Sequence, residues 1–227
     1  LTDIFAHRGS AQAARENTLE AFAAARELGA DGVELDVHLS RDGFVVVHHD
    51  PEVPGRGQIA FLSRSELPPW LPGLEEALEI CRPLSVNVEI KADPKTTAKP
   101  DELVAKVAAI LADRDDEVPR IIVSSFSLTA LDAFLALAPS VPTAVLLEPA
   151  DDPRAALRTA HEHRHKGLHP FFPVVDEALV TAAHGVEVAI RPWTVDNPTQ
   201  IAQLAEMGVD AIITNDVQLA LRAIGRC

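Results

Sequence analysis

Cysteine is scarce in this chain: only Cys81 and Cys227 occur among 227 residues. Two thiols make no disulfide framework, so nothing argues for secretion. Long apolar runs are missing too, and none approaches the length that spans a bilayer. Basic residues are outnumbered, with Lys plus Arg at 20 against Asp plus Glu at 34, a formal net charge of −14. That charge repels nucleic acid and anionic membranes at long range, so neither nucleic acid nor stable membrane insertion is expected. It would also repel an anionic small substrate unless the site carries local positive charge. The N-terminal LTDIFAHRG has no basic region followed by an apolar stretch, so no signal peptide is visible and a cytoplasmic location is the expectation. The chain does not begin with Met, which leaves room for a trimmed segment.

What is present is a rhythm. Short β-type runs alternate with helical patterns: DIFAH, then NTLEAFAAARELGA with Asn17 or Thr18 as N-cap and Gly29 as stop; GVELDV, the turn RDG, and FVVVHHD returning. Five further strand-type runs follow (SVNVEIK, RIIVSSF, TAVLLE, GLHPF, EVAIRPWTV), then DAIITN, each succeeded by a helical pattern. Setting the hairpin's return arm aside, eight strand–helix units predict parallel strands with crossover helices and a closed (β/α)₈ TIM barrel. An open doubly wound sheet is the rival, but it would usually carry a glycine-rich phosphate turn after its first strand. Here that strand ends in AHRGS, with one glycine. No low-complexity tract or domain linker interrupts the rhythm. A single domain over 1–227 with a small Pro- and Gly-rich insertion at 51–73 is the economical expectation.

In such barrels chemistry gathers where the strands end. The predicted ends carry His7 and Arg8, Glu34 and Asp36, Glu89 and Lys91, Ser124 and Ser125, His169, Arg191 and Trp193, and Thr214 and Asn215. Side chains two apart share a strand face, so Glu34 pairs with Asp36 and Glu89 with Lys91. The turn at 41–43 brings His49 and Asp50 back beside Asp36, whereas His48 should face away. Three converging carboxylates repel one another unless a cation sits among them. All-oxygen donors suit Mg²⁺ or Ca²⁺ better than zinc. His7 and His49 suit acid–base work near neutral pH, and Arg8 and Lys91 supply charge for an anion. The set suits phosphoryl chemistry.

The stretches AHRGS, ENTLEAF, GADGVELDVHLSRDGFVVVHHDP, VNVEIK, VSSF, HP, WTVDN and GVDAIITNDV fall in an order that resembles the glycerophosphodiester phosphodiesterase family, over about residues 4–222. The combination of H-R-G, E-x-D, H-D and E-x-K at strand ends is specific. The resemblance implies a (β/α)₈ barrel and metal-dependent hydrolysis of glycerophosphodiesters to glycerol 3-phosphate and an alcohol. It implies Glu34, Asp36 and Glu89 as metal ligands and His7 and His49 as the acid–base pair. Arg8 and Lys91 would contact phosphate, and Trp193 would pack against glycerol. The segment after HDP is shorter than in many family members, which loosens any expectation about the alcohol head group.

Blander readings apply elsewhere. Ser124 and Ser125 have no identifiable base and are expected to be structural. His161, His163 and His165 have a spacing that does not share one helix face and are expected on a solvated surface. Asp113, Asp115 and Asp116 read as an exposed helix end. Two other functions remain open: a cyclising enzyme of the phospholipase-D-like or phosphoinositide-lyase-like kind, and a non-catalytic phosphate-ester binding barrel.

Overall fold

The computed structural model describes residues 1–93, 97–112, 114 and 120–226. Asp113, Asp115, Asp116 and Cys227 therefore lie outside the described residues. The order is β1 (Asp3–His7), α1 (Leu19–Glu27), β2 (Gly32–Leu39), β3 (Val45–Val47), β4 (Glu52–Val53), β5 (Gly57–Gln58), α2 (Leu74–Cys81), β6 (Ser85–Ile90) and α3 (Pro100–Ala112). It continues with β7 (Ile121–Ser125), α4 (Leu128–Leu137), β8 (Thr143–Leu146), α5 (Pro153–Glu162), β9 (Gly167–His169), α6 (Glu177–His184), β10 (Ala189–Ile190), α7 (Pro198–Glu206), β11 (Ala211–Thr214) and α8 (Val217–Ala223).

Eight of these strands are parallel neighbours in the order β10-β9-β8-β7-β6-β2-β1-β11, and β3 runs antiparallel on β2. The strand-seven run is shorter than predicted, because Pro192 has no N–H to continue a ladder. The seam beyond it is stitched by backbone bonds from Asp210 N to Ile190 O at 2.9 Å, Ile213 N to Pro192 O at 3.0 Å and Val195 N to Ile213 O at 3.0 Å. The result is a nearly closed eight-stranded barrel wrapped by eight helices among the described residues, the TIM-barrel architecture that the strand–helix rhythm predicts.

Alternation within the strands divides the core. Val33, Leu35 and Val37 of β2 and Val86, Val88 and Ile90 of β6 pack outward against the helices with Phe22, Leu78 and Leu103. Each such fully buried side chain contributes about 1.5–3 kcal/mol relative to exposure. A smaller inner cluster of Phe5, Ile122, Ala144, Ala211 and Ile213 fills the barrel. The Phe5 ring lies so close to Gly32 that a Cβ there would sit 2.6 Å from it. The 51–73 segment folds on its own small core, with Val53, Ile59, Leu67 and Leu71 packed on Val46 of β3. Cys81 is buried, and burial pushes its thiol up to about 12, so it is unreactive. No helix among the described residues is long and apolar enough to cross a membrane.

Candidate active site

Parallel register sets the inward side chains in rows at the ends of the strands. His7 stands level with Glu34 and Glu34 with Asn87; one row further along, Asp36 stands level with Glu89 and Glu89 with Ser124. The turn after β1 shapes the entrance. Arg8 and Gly9 both have positive φ, 56° and 78°, and a Cβ at Gly9 would meet the Ala21 backbone at 2.8 Å. Only glycine fits there, which explains the third residue of H-R-G. Arg8 is a non-glycine residue in the left-handed region, a conformation that costs energy and recurs at functional sites.

Glu34, Asp36 and Glu89 are all buried, and each offers an oxygen within 4.8 Å of the others. Lys91 Nζ binds Asp36 Oδ1 at 2.8 Å and also pairs with Glu89. Arg8 Nε approaches Asp36 Oδ2 at 3.5 Å, and Asn17 donates to the same oxygen at 2.7 Å. Burial opposes ionisation of Asp36, but Lys91 and Arg8 outweigh it and hold its carboxyl down at about 2. Glu34 is different. Burial, reinforced by Asp36 and Glu89, pushes its carboxyl well above the usual range. Its Oε2 accepts from the Arg8 backbone at 3.0 Å, while Oε1 is buried with no hydrogen-bond partner. Burial likewise raises Glu89 despite Lys91. Three acids thus face two cations, and one carboxylate oxygen is orphaned beside a cavity of about 250 Å³. A hard divalent cation fits that donor set, since it would satisfy Glu34 Oε1 and compensate the excess negative charge.

The two histidines flank the same cavity. His7 Nδ1 is 2.8 Å from Asn215 Oδ1, and Asn215 spends its amide N–H on Asp196 Oδ2 at 2.7 Å. His7 Nδ1 therefore donates, and Nε2, 4.0 Å from Glu34 Oε2, is left as the acceptor. Burial and then Arg8 lower its pKa, which keeps the ring neutral near pH 7. His49 Nδ1 donates to Asp50 Oδ1 at 2.7 Å, which again leaves Nε2 free. His38 Nε2 donates to the His49 carbonyl at 3.0 Å. Burial pushes His38 down to about 4, so it positions the His49 backbone as a neutral donor.

Trp193, Phe126, Leu146 and Ile213 supply the cavity's apolar wall, with Trp193 edge-on to Phe126 at 5.7 Å. A second lobe of about 420 Å³ adjoins it and shares His49, Glu89, Lys91 and Phe126. All eight residues singled out from the sequence meet here: His7, Arg8, Glu34, His49, Glu89, Lys91 and Trp193 line the cavity, and Asp36 lies directly beneath Lys91. His48 turns away toward Trp70.

Two strand-end residues are placed otherwise than expected. His169 is sealed inside with both ring nitrogens unpartnered, and does not line the cavity. Arg191 points back toward the strand starts, where Asp210 and Asp3 face it and its NH1 would be 3.2 Å from a Cβ on Gly167. Burial outside the cavity explains both: the barrel's interior layers hold them. Ser125 is structural as expected, its hydroxyl bonding the Ile90 carbonyl at 2.8 Å. Asn17, His38, Asn87 and Asp196 are site residues that the sequence reading missed. His38 was reachable, since it continues the i, i+2 series of Glu34 and Asp36.

A parallel barrel with an acidic, histidine-flanked mouth defines the class. The model of the glycerophosphoryl diester phosphodiesterase family matches residues 7–219. A glycerophosphodiester phosphodiesterase from Caldanaerobacter subterraneus subsp. tengcongensis is 31% identical, over 98% of each chain. One from Bacillus altitudinis is 33% identical over 95% of each. Among solved structures, an Oleispira antarctica phosphodiesterase in complex with the product sn-glycerol-3-phosphate superposes with a TM-score of 0.88 at 26% identity, covering 99% of this chain and 97% of that one. This chain belongs to the glycerophosphoryl diester phosphodiesterase family.

Proposed function

We propose that the chain is a single phosphodiesterase domain that hydrolyses glycerophosphodiesters to glycerol 3-phosphate and an alcohol, with Mg²⁺ or Ca²⁺ as cofactor. The observation that carries the reading is the paired histidine arrangement. His7 and His49 flank one cavity, each with Nδ1 tied down by a side-chain oxygen and Nε2 free. That is the arrangement needed to take a proton from a nucleophile and give one to a leaving alkoxide. The names of the relatives and the product in the Oleispira complex support the substrate class.

In this reading Glu34, Asp36 and Glu89 hold the cation, which when bound supplies Lewis-acid stabilisation of the phosphate's charge. Arg8 and Lys91 offset the charge of the phosphate oxygens. Trp193 and its apolar neighbours receive the glycerol arm. The alcohol arm extends into the second lobe, past His49 and Phe126.

The test is an activity screen over glycerophosphodiesters with and without EDTA, with products followed by phosphorus NMR. Monoester release that EDTA abolishes is the expected result. Accumulation of a cyclic phosphodiester would instead mark the cyclising reaction. Binding of glycerophosphocholine with no turnover would mark a binding barrel.

A further inference from the structure

The expectation of a solvated histidine surface holds for His161 and His163 and fails for His165. His161 and His163 are exposed, but His165 is buried, with its side chain 0% exposed. Helix spacing does not apply across these residues. His163 is the C-cap of α5, and Arg164 has a positive φ of 66°. That left-handed residue reverses the chain locally, so His163 and His165 turn the same way and their rings stack at 6.0 Å, 21° apart. Both face Asp132 of α4. His163 Nδ1 is 2.9 Å from Asp132 Oδ1, and His165 Nε2 is 3.5 Å from the same oxygen.

We infer that Asp132, His163 and His165 form a second metal site, for a divalent transition cation of the zinc class, that clamps α4 to the turn between α5 and β9. One donor atom from each residue lies within 4.8 Å of the others. Two imidazoles and a carboxylate are a zinc-type donor set, unlike the all-oxygen set at the barrel mouth. An independent observation points to a ligand. His165 Nε2 is buried, aimed at Asp132, and has no hydrogen-bond partner. Its Nδ1 is occupied by Thr143 Oγ1 at 2.8 Å, the kind of outer hydrogen bond that orients a metal-binding imidazole. Tetrahedral zinc at about 2.05 Å from its ligands separates them by about 3.3 Å. The Asp132–His165 distance already suits this, and His163 needs to withdraw by a few tenths of an ångström. An open cavity of about 380 Å³ beside Asp132 and His163 admits the ion, with water available as fourth ligand. The site lies where β9 begins, at the opposite end of that strand from the catalytic mouth, so it acts as a structural staple.

The experiment is calorimetric titration of Zn²⁺ into the untagged, EDTA-treated full chain in excess Mg²⁺, beside the Asp132→Asn/His163→Ala variant. Circular dichroism checks that the variant folds; both substitutions are at partly or fully exposed positions. The wild type is expected to bind one more equivalent of Zn²⁺ than the variant, and Co²⁺ in its place to show the intense visible absorption of a four-coordinate site. Thr143→Val, which removes only the outer hydrogen bond, should weaken that equivalent roughly 10–100-fold. Identical Zn²⁺ isotherms for wild type and double variant would overturn the proposal and leave an ordinary histidine–aspartate pair.

Discussion

Asn215 Oδ1 lies 2.8 Å from His7 Nδ1, and the orientation of that amide is fixed by Asp196 at the other end. The relay sets which nitrogen of His7 carries the proton. Under the proposed mechanism, His7→Ala lowers kcat by roughly 10²–10⁴. Asn215→Ala keeps the imidazole but loses its orientation, and should cost about 10–100-fold. Asn215 raises the His7 pKa, against burial and Arg8 which lower it. Its removal therefore moves the His7 limb of the kcat/KM profile to lower pH. A limb that stays in place or moves upward would exclude the relay.

Glu34 is the uncompensated carboxylate, so its replacement should separate metal affinity from stability. Glu34→Gln is expected to weaken Mg²⁺ or Ca²⁺ binding at least tenfold, about 1.4 kcal/mol. The same change removes a carboxyl whose ionisation burial and its acidic neighbours oppose, so it should not lower the melting temperature of the metal-free protein. Calorimetry and thermal melts in EDTA check the two halves separately.

Lys91 does the reverse. It neutralises both Asp36 and Glu89. Lys91→Met leaves two buried carboxylates without their ammonium and should cost about 3–5 kcal/mol in the metal-free protein. A divalent cation should restore part of this loss, while KM for a phosphodiester rises. Chemical denaturation with and without metal measures the difference.

Metal stabilisation should depend on pH with a definite sign. Glu89 is raised from 4.5 to about 7 without metal, and Glu34 is also raised, mainly by burial. Raised carboxyls favour the folded protein at low pH, and that contribution is lost as pH climbs from about 4.5 through 7. A cation binds the ionised forms, so its gain in melting temperature should grow across the same window. A gain independent of pH would mean that Glu34 and Glu89 are not ligands.

Much of the site was legible in the sequence because a strand's two-residue period is rigid. Glu34 with Asp36, and Glu89 with Lys91, had to share faces, and a turn at Arg41–Gly43 had to return His49. Asn17 was not legible as a partner of Asp36, since its contact crosses from a loop at positive φ. Asp196 and Asn215 come from different βα units, and Asn215 reaches His7 only because the barrel closes β11 on β1.

The sequence by itself determined the alternation of strands and helices, the inward and outward faces, and the residue types that can carry phosphoryl chemistry. These follow from local periodicity and side-chain chemistry. The tertiary structure alone decided which carboxylate is left unpaired, which histidine nitrogen is free, and that Arg191 and His169 stay out of the mouth. It also decided that His163 and His165 converge, because a single left-handed residue overrode helical spacing. Those outcomes depend on burial and on distances between side chains far apart in the chain, which no local pattern encodes.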